Sequence, residues 1–258
     1  MAYELVGGAE VLAGRLTRWG YLKEGRSLEE AIALYQANHA VELDDLSSQY
    51  HGRLVARTKA GADIGGDVGP ATAQLLNGRY CDVPDVMPNA AISEANWPES
   101  CRNDITLSWN FKNAPGLTEA EQNAVWKSVK DEYERLFQMQ FVLRAADGYG
   151  SSRINAKLLS LPGSVLAWSY LATSNCADRL QQAYDNTIRW SLNLAIGTWK
   201  HEVGHAMGMQ HTPSDPRSLM NPSMNGQTGL NATDIAQMLR IGYKRRTSPP
   251  PEDDWSMF

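Results

Sequence analysis

The chain has 258 residues, enough for one large domain or two small ones. It is 43% hydrophobic and 21% charged, with 8 tryptophans and 10 tyrosines, the make-up of a folded globular protein. A formal charge of -5 argues against a dominant nucleic-acid surface, and no run approaches the roughly 18 apolar residues that span a bilayer. Glu4, Glu10 and Arg15 break up the apolar N-terminus, so it does not read as a secretory signal. Action outside a cell would then require a removed leader, another export route, or carriage in a particle such as a phage virion.

Residues 1–78 read as a small helical unit. Val11 to Trp19 has helical apolar spacing and stops at Gly20. Ser27 with Glu30 forms a capping box for a helix from Leu28 to Ala40, which sets Leu28, Ile32 and Tyr35 near one face. Residues 44–66 are polar and glycine-rich, as a loop is, and a short helix from Pro70 through Leu76 follows. Three short helices make a thin core, so this unit is expected to lean on the rest. Residues 79–102, rich in Pro, Asn and Asp without a period, read as a linker and not as a packed element.

A second unit spans residues 103–243. It opens with a half-buried strand, Ile105 to Phe111, and a long amphipathic helix, Glu119 to Phe137, capped by Thr118. Strands are expected at Gln140 to Leu143, Ile154 to Leu159 and Ser164 to Leu171, the last after the Pro162-Gly163 turn. A helix from Leu192 to Met209 and another from about Asn231 or Thr233 to Ile241 complete it. Asn231-Ala232-Thr233 matches a glycosylation acceptor, but a helix N-cap explains it as well. Residues 244–258, with Pro249-Pro250-Pro251, form a tail.

The chemistry lies in His201-Glu202-Val203-Gly204-His205-Ala206-Met207-Gly208-Met209-Gln210-His211. Histidines at i and i+4 share a helix face, so both imidazoles can reach one metal ion. Gly208 lets the chain leave the helix and bring His211 round as a third ligand. Three neutral ligands leave a position open for water, which marks a catalytic zinc. Glu202, beside the first ligand, is placed to act as general base. A buried helix with incidental histidines is the bland alternative; three of the five histidines falling in this run weigh against it.

This motif resembles that of the metzincin zinc proteases. Ser218-Leu219-Met220-Asn221-Pro222 is similar to their Met-turn, which implies Met220 as an apolar floor for the ligands, with Gly208 and Pro222 in support. The form of that turn resembles the matrixins, the matrix metalloproteinase relatives. So do Trp109-Asn110-Phe111 with Leu117-Thr118-Glu119, Val165 to Tyr170, Tyr184-Asp185 with Trp190, and Asp234-Ile235 with Ile241-Gly242-Tyr243.

The resemblance implies an α+β catalytic domain, with a twisted, mostly parallel sheet and an active-site helix. It also implies hydrolysis of peptide bonds by metal-activated water, with an extended substrate along Ser164 to Tyr170 and its apolar side chain near residues 223–230. One catalytic zinc ion is expected. Residues 145–163 hold no histidine and one acid, Asp147, so no second zinc is expected and there is little ground for calcium.

Arg79-Tyr80-Cys81-Asp82-Val83-Pro84-Asp85 resembles the matrixin cysteine switch, in which a thiolate fills the open zinc position of a zymogen. The family sets Arg directly before Cys and Gly directly after it; here Tyr80 and Asp82 stand there. With Cys81 so used, Cys101 and Cys176 remain as a possible disulfide. Through Tyr21-Leu22, Ala31 to Gln36, and Gly66-Asp67-Val68-Gly69 with Thr72 and Leu76, residues 1–78 resemble a peptidoglycan-binding fold, which implies that they either inhibit or target the enzyme to a cell wall. The competing class is a non-catalytic structural or cell-wall-binding particle component with a vestigial protease fold.

Overall fold

The computed structural model describes residues 8–19, 21–38, 72, 80–81, 97–144, 149–161, 165–172 and 175–248, with Tyr80 and Cys81 described by their backbone. The expected loop over 44–66, the helix from Pro70 apart from Thr72, linker residues 82–96, the Pro162-Gly163 turn, Asp147 and the tail beyond 248 lie outside these residues.

Near the N-terminus two helices form, α1 (Gly8–Arg18) and α2 (Leu28–Asn38). The Ser27 amide donates to the Glu30 carboxylate at 2.7 Å, and the Glu30 amide donates to Ser27 Oγ at 3.1 Å, which starts α2 where the capping box expects it. Leu12, Leu16, Trp19, Tyr21, Ala31, Ile32 and Tyr35 bury one another in a cluster of their own. Tyr35 stacks on Trp19 and meets the edge of Tyr21, with centroids 5.9 and 5.3 Å away.

The larger part is a mixed α/β fold around a six-stranded sheet. Its strands are β1 (Tyr80–Cys81), β2 (Ile105–Trp109), β3 (Phe141–Arg144), β4 (Ile154–Leu159), β5 (Val165–Ser169) and β6 (Leu180–Asp185), in the order β1-β5-β6-β4-β2-β3. All pairings are parallel except β5 with β6. Helices α3 (Glu119–Leu136) and α4 (Leu192–Ala206) pack together, and α5 (Ala232–Arg240) follows them in the chain. Among the described residues no helix is long and apolar enough to cross a membrane.

An aromatic stack joins sheet to helices and thereby places α4. Trp126 of α3 lies 5.2 Å from Trp109 of β2 and 4.4 Å from Trp199 of α4, ring centre to ring centre. Tyr184 of β6 packs on Trp199 at 5.2 Å. Trp199 sits two positions before His201, so burying this large ring fixes the rotation of the histidine helix about its axis.

Two expectations need correction. The sequence offers no strand at β6, because Leu180-Gln181-Gln182-Ala183-Tyr184-Asp185 carries too many polar side chains to read as apolar alternation. It is buried nonetheless, because Gln182 donates to Ser169 Oγ and accepts from the Tyr184 hydroxyl.

The linker reading of 79–102 also fails in part. Tyr80–Cys81 pairs with β5, and Trp97 to Arg102 is packed, with a 3₁₀ turn over Glu99–Cys101. Trp97 is fully buried and donates to Ala206 O, while the Arg102 guanidinium donates to Trp97 O and Gly242 O and lies 4.3 Å from the centre of the Tyr243 ring. These contacts are tertiary and leave no local period in the sequence.

Candidate metal centre

The three histidines of the motif come together. His205 Nε2 lies 3.0 Å from His201 Nε2 and 3.1 Å from His211 Nε2, and all three residues are buried. Among the described residues they are the one cluster of three or more His, Cys, Asp or Glu side chains able to share a metal ion.

The helix end explains how His211 arrives. After the last residue of α4 and its cap Met207, Gly208 takes φ 97°, the left-handed region that favours glycine. The Gly208 amide donates to His205 O at 2.8 Å, and the Met209 amide donates to Gly204 O at 2.9 Å. This pair of bonds is the Schellman motif, and it turns the chain back toward the helix's buried face. Two more donors satisfy the helix's last carbonyls: Ala172 N reaches His205 O at 3.2 Å, and Trp97 Nε1 reaches Ala206 O at 2.7 Å.

Backbone carbonyls fix two of the rings. His201 Nδ1 is 2.7 Å from Leu219 O, and His205 Nδ1 is 2.8 Å from Met209 O. A carbonyl oxygen can only accept, so both Nδ1 atoms carry the proton and both Nε2 atoms present lone pairs. Burial first, then the neighbouring His201 and His211, holds the His205 imidazole well below its ordinary value, so that ring is neutral. Two lone pairs 3.0 Å apart repel unless a cation lies between them. Tetrahedral Zn–N bonds of about 2.0–2.1 Å would space the nitrogens by about 3.3 Å, close to what is found. The donor set therefore fits zinc.

Met220 lies fully buried under this helix. A Cβ built on Gly204 would stand 2.6 Å from Met220 Sδ and 3.0 Å from the Tyr133 hydroxyl, so the helix and the Met220 turn meet where a side chain is missing. Asp234, at the start of α5, ties the turn down: its carboxylate accepts from Ser218 Oγ, Leu219 N (2.8 Å), Met220 N (3.3 Å) and Asn231 N (2.9 Å). The Thr212 amide, beside His211, donates to Met220 O at 2.8 Å. Pro222, following Asn221, leaves this turn buried.

Asp234 had a signal in the sequence, since Asn231 with an acid three residues on is a capping box, and both halves of it form. Its second task, holding the turn, had none.

Glu202 is fully buried next to His201. Cys101 and Cys176 are joined as a disulfide with Cα atoms 5.8 Å apart, tying the 3₁₀ turn to the loop between β5 and β6. The backbone of Cys81 is registered against Ala167 of β5.

The chain is 28% identical over 238 residues to the Hatching enzyme of Paracentrotus lividus, an alignment that covers 84% of this chain and 35% of that protein. The chain thus spans about a third of the length of that relative. No protein-family model matches the chain.

Proposed function

We propose that this protein is a zinc-dependent endopeptidase, a matrixin-like metzincin that is made latent by the segment around Cys81. The observation that carries the reading is the convergence of three buried histidine Nε2 atoms, two of them held in the lone-pair-inward tautomer by backbone carbonyls. The similarity to a protein named for enzymatic hatching supports the same class.

His201, His205 and His211 would hold the ion. Bound there, zinc supplies Lewis acidity, polarising a peptide carbonyl and making a water acidic near neutral pH. Glu202 takes the water's proton and returns it to the leaving amine, work that suits a carboxylate in a dry site. Met220 and Gly204 keep the ligand helix seated, and Gly208 and Pro222 shape the turns on either side.

The substrate would extend along β5, with a side chain entering near residues 223–230. Latency follows from the same edge. While β1 pairs with Val165 and Ala167, an extended substrate cannot bond to those residues, and the Cys81 thiolate would take the open position on the ion.

The division into 1–78, 79–102, 103–243 and 244–258 belongs to this proposal, and the separate apolar cluster of α1 and α2 supports it. A cell-wall role for residues 1–78 would be tested by binding to purified peptidoglycan sacculi.

The primary test compares wild type, Cys81→Ser and Glu202→Gln on a mixed peptide library, with zinc measured in each. The serine variant should cut and wild type should not. The glutamine variant should bind about one zinc and lose activity by roughly 10²–10⁴-fold. Equal cutting by wild type and Cys81→Ser would remove the latency claim, and no cutting by any zinc-loaded form would remove the protease.

A further inference from the structure

We infer that Glu132 and Lys200 clasp the segment 224–230 and thereby set which substrate side chain the enzyme accepts; both are positioning residues, and the inference rests on the endopeptidase reading. Lys200 immediately precedes His201 on α4, and Glu132 lies on α3. Both are taken out of water, with side chains 5% and 14% exposed. Lys200 Nζ donates to Glu132 Oε2 at 2.5 Å and to Thr228 O at 2.8 Å. The other carboxylate oxygen, Oε1, accepts from Leu230 N at 2.7 Å. Each charged group thus bonds its partner once and the segment's backbone once, closing a circuit through two helices and the segment.

The glycines show how close the fit is. A Cβ on Gly229 would stand 3.0 Å from Glu132 Oε1, so the segment passes directly over the carboxylate. A Cβ on Gly197, three residues before Lys200 and on the same helix face, would lie 2.4 Å from Gln227 O. The helix is therefore bare where the segment crosses it. Thr198 Oγ1 reaches Met224 Sδ at 3.4 Å, and Asn225 Nδ2 donates to Pro216 O and Ser218 O, which fixes the upstream end to the Met220 turn.

A desolvated ion pair is a demanding fastener. Removing one partner leaves a charge without its counter-ion, whereas replacing both with neutral groups of similar shape is tolerated. Because both charges also hold backbone atoms of the segment, its conformation is tied to the helix that carries two of the metal ligands. A wall of the side-chain pocket anchored this way would resist widening.

The test has an arm that needs neither metal nor activity. Amide hydrogen exchange over 224–230 is followed in metal-free wild type, Glu132→Gln, Lys200→Met, the double variant and Gly197→Ala. Exchange should quicken tenfold or more in Lys200→Met and in Gly197→Ala, which disturbs the opposite end without touching a charge. The double variant should melt nearer to wild type than either single charge variant, which separates loss of the clasp from failure to fold.

In the second arm, kcat/KM is measured on the zinc-loaded, Cys81→Ser background for two peptides that differ only in a small or bulky apolar residue after the cleaved bond. The preference between them should shift fivefold or more in Lys200→Met and Gly197→Ala. Unchanged exchange in Lys200→Met would overturn the clasp, whatever Gly197→Ala does. Quickened exchange with an unchanged preference would overturn its role in selection. If the parent cuts neither peptide while exchange responds as expected, the endopeptidase reading fails and the selection claim falls with it, leaving the contact as a brace.

Discussion

On the Met220 side of the histidine triad, one buried carboxylate, Asp234, gathers four donors, three of them backbone amides. On the β5 side, the Cys81 segment meets the sheet through two registered residue pairs, Tyr80 with Val165 and Cys81 with Ala167. Hydrogen bonds to a buried charge are worth about 1.5–3 kcal/mol each, and exchangeable backbone bonds about 0.5–1.5 kcal/mol net. The first side is built to stay closed. The second can open at modest cost, which the proposed latency would require.

The largest effect should come from breaking the fixed side. Asp234→Ala leaves buried amides without an acceptor and should cost about 3–5 kcal/mol, read from urea midpoints, with weaker zinc retention alongside. A loss below about 1 kcal/mol would mean that the Met220 turn holds itself.

Gly204→Ala comes next, because its Cβ would press on Met220 Sδ and Tyr133 Oη; a loss of roughly 1–3 kcal/mol is expected. The Tyr133 hydroxyl cannot readily move, since it donates to Lys200 O at 2.9 Å. Burial, with Asp234 and Glu132 nearby, raises its pKa well above the ordinary value, so it keeps its proton.

On the displaceable side, Tyr80→Pro should weaken the β1–β5 pairing. The cost in stability should stay at or below about 1 kcal/mol, while cleavage of the peptide library rises. A large loss of stability with no gain in cleavage would erase the contrast between the sides.

The smallest effect concerns Asp215, which sits near α5. Burial would raise its pKa, but bonds from Thr233 Oγ1, the Arg217 amide and Asn231 Nδ2 outweigh that and hold it below 3.8. A depressed folded value means the contribution is fully present above 3.8 and is lost as pH falls through the folded value. The stability gap between wild type and Asp215→Asn should therefore hold from pH 7 down to about 4 and close below it. A gap that stays constant to pH 2 would show that the carboxylate's charge is not what matters.

Local chemistry wrote much of this fold into the chain. The box at Ser27 and Glu30 starts α2, Thr118 starts α3, and Gly208 ends the turn after α4, because caps and left-handed glycines act over three or four residues. The strand over Ile154–Leu159 was legible from Ile154, Ala156 and Leu158 at every second position, although the fold buries Asn155 between them as well.

The histidine spacing alone determined that three ligands of the right kind would be at hand, because i, i+4 on a helix is a distance as well as a count. Tertiary structure decided the rest. The tautomers of His201 and His205 depend on carbonyls 18 and 4 residues away, and Trp97 finds its acceptor 109 residues on. Gln182 is a strand residue only because Ser169 and Tyr184 satisfy its amide. Glu132 and Lys200, 68 residues apart, carry no local signal of a link; only the packing of α3 on α4 buries them together and makes each the other's necessary partner.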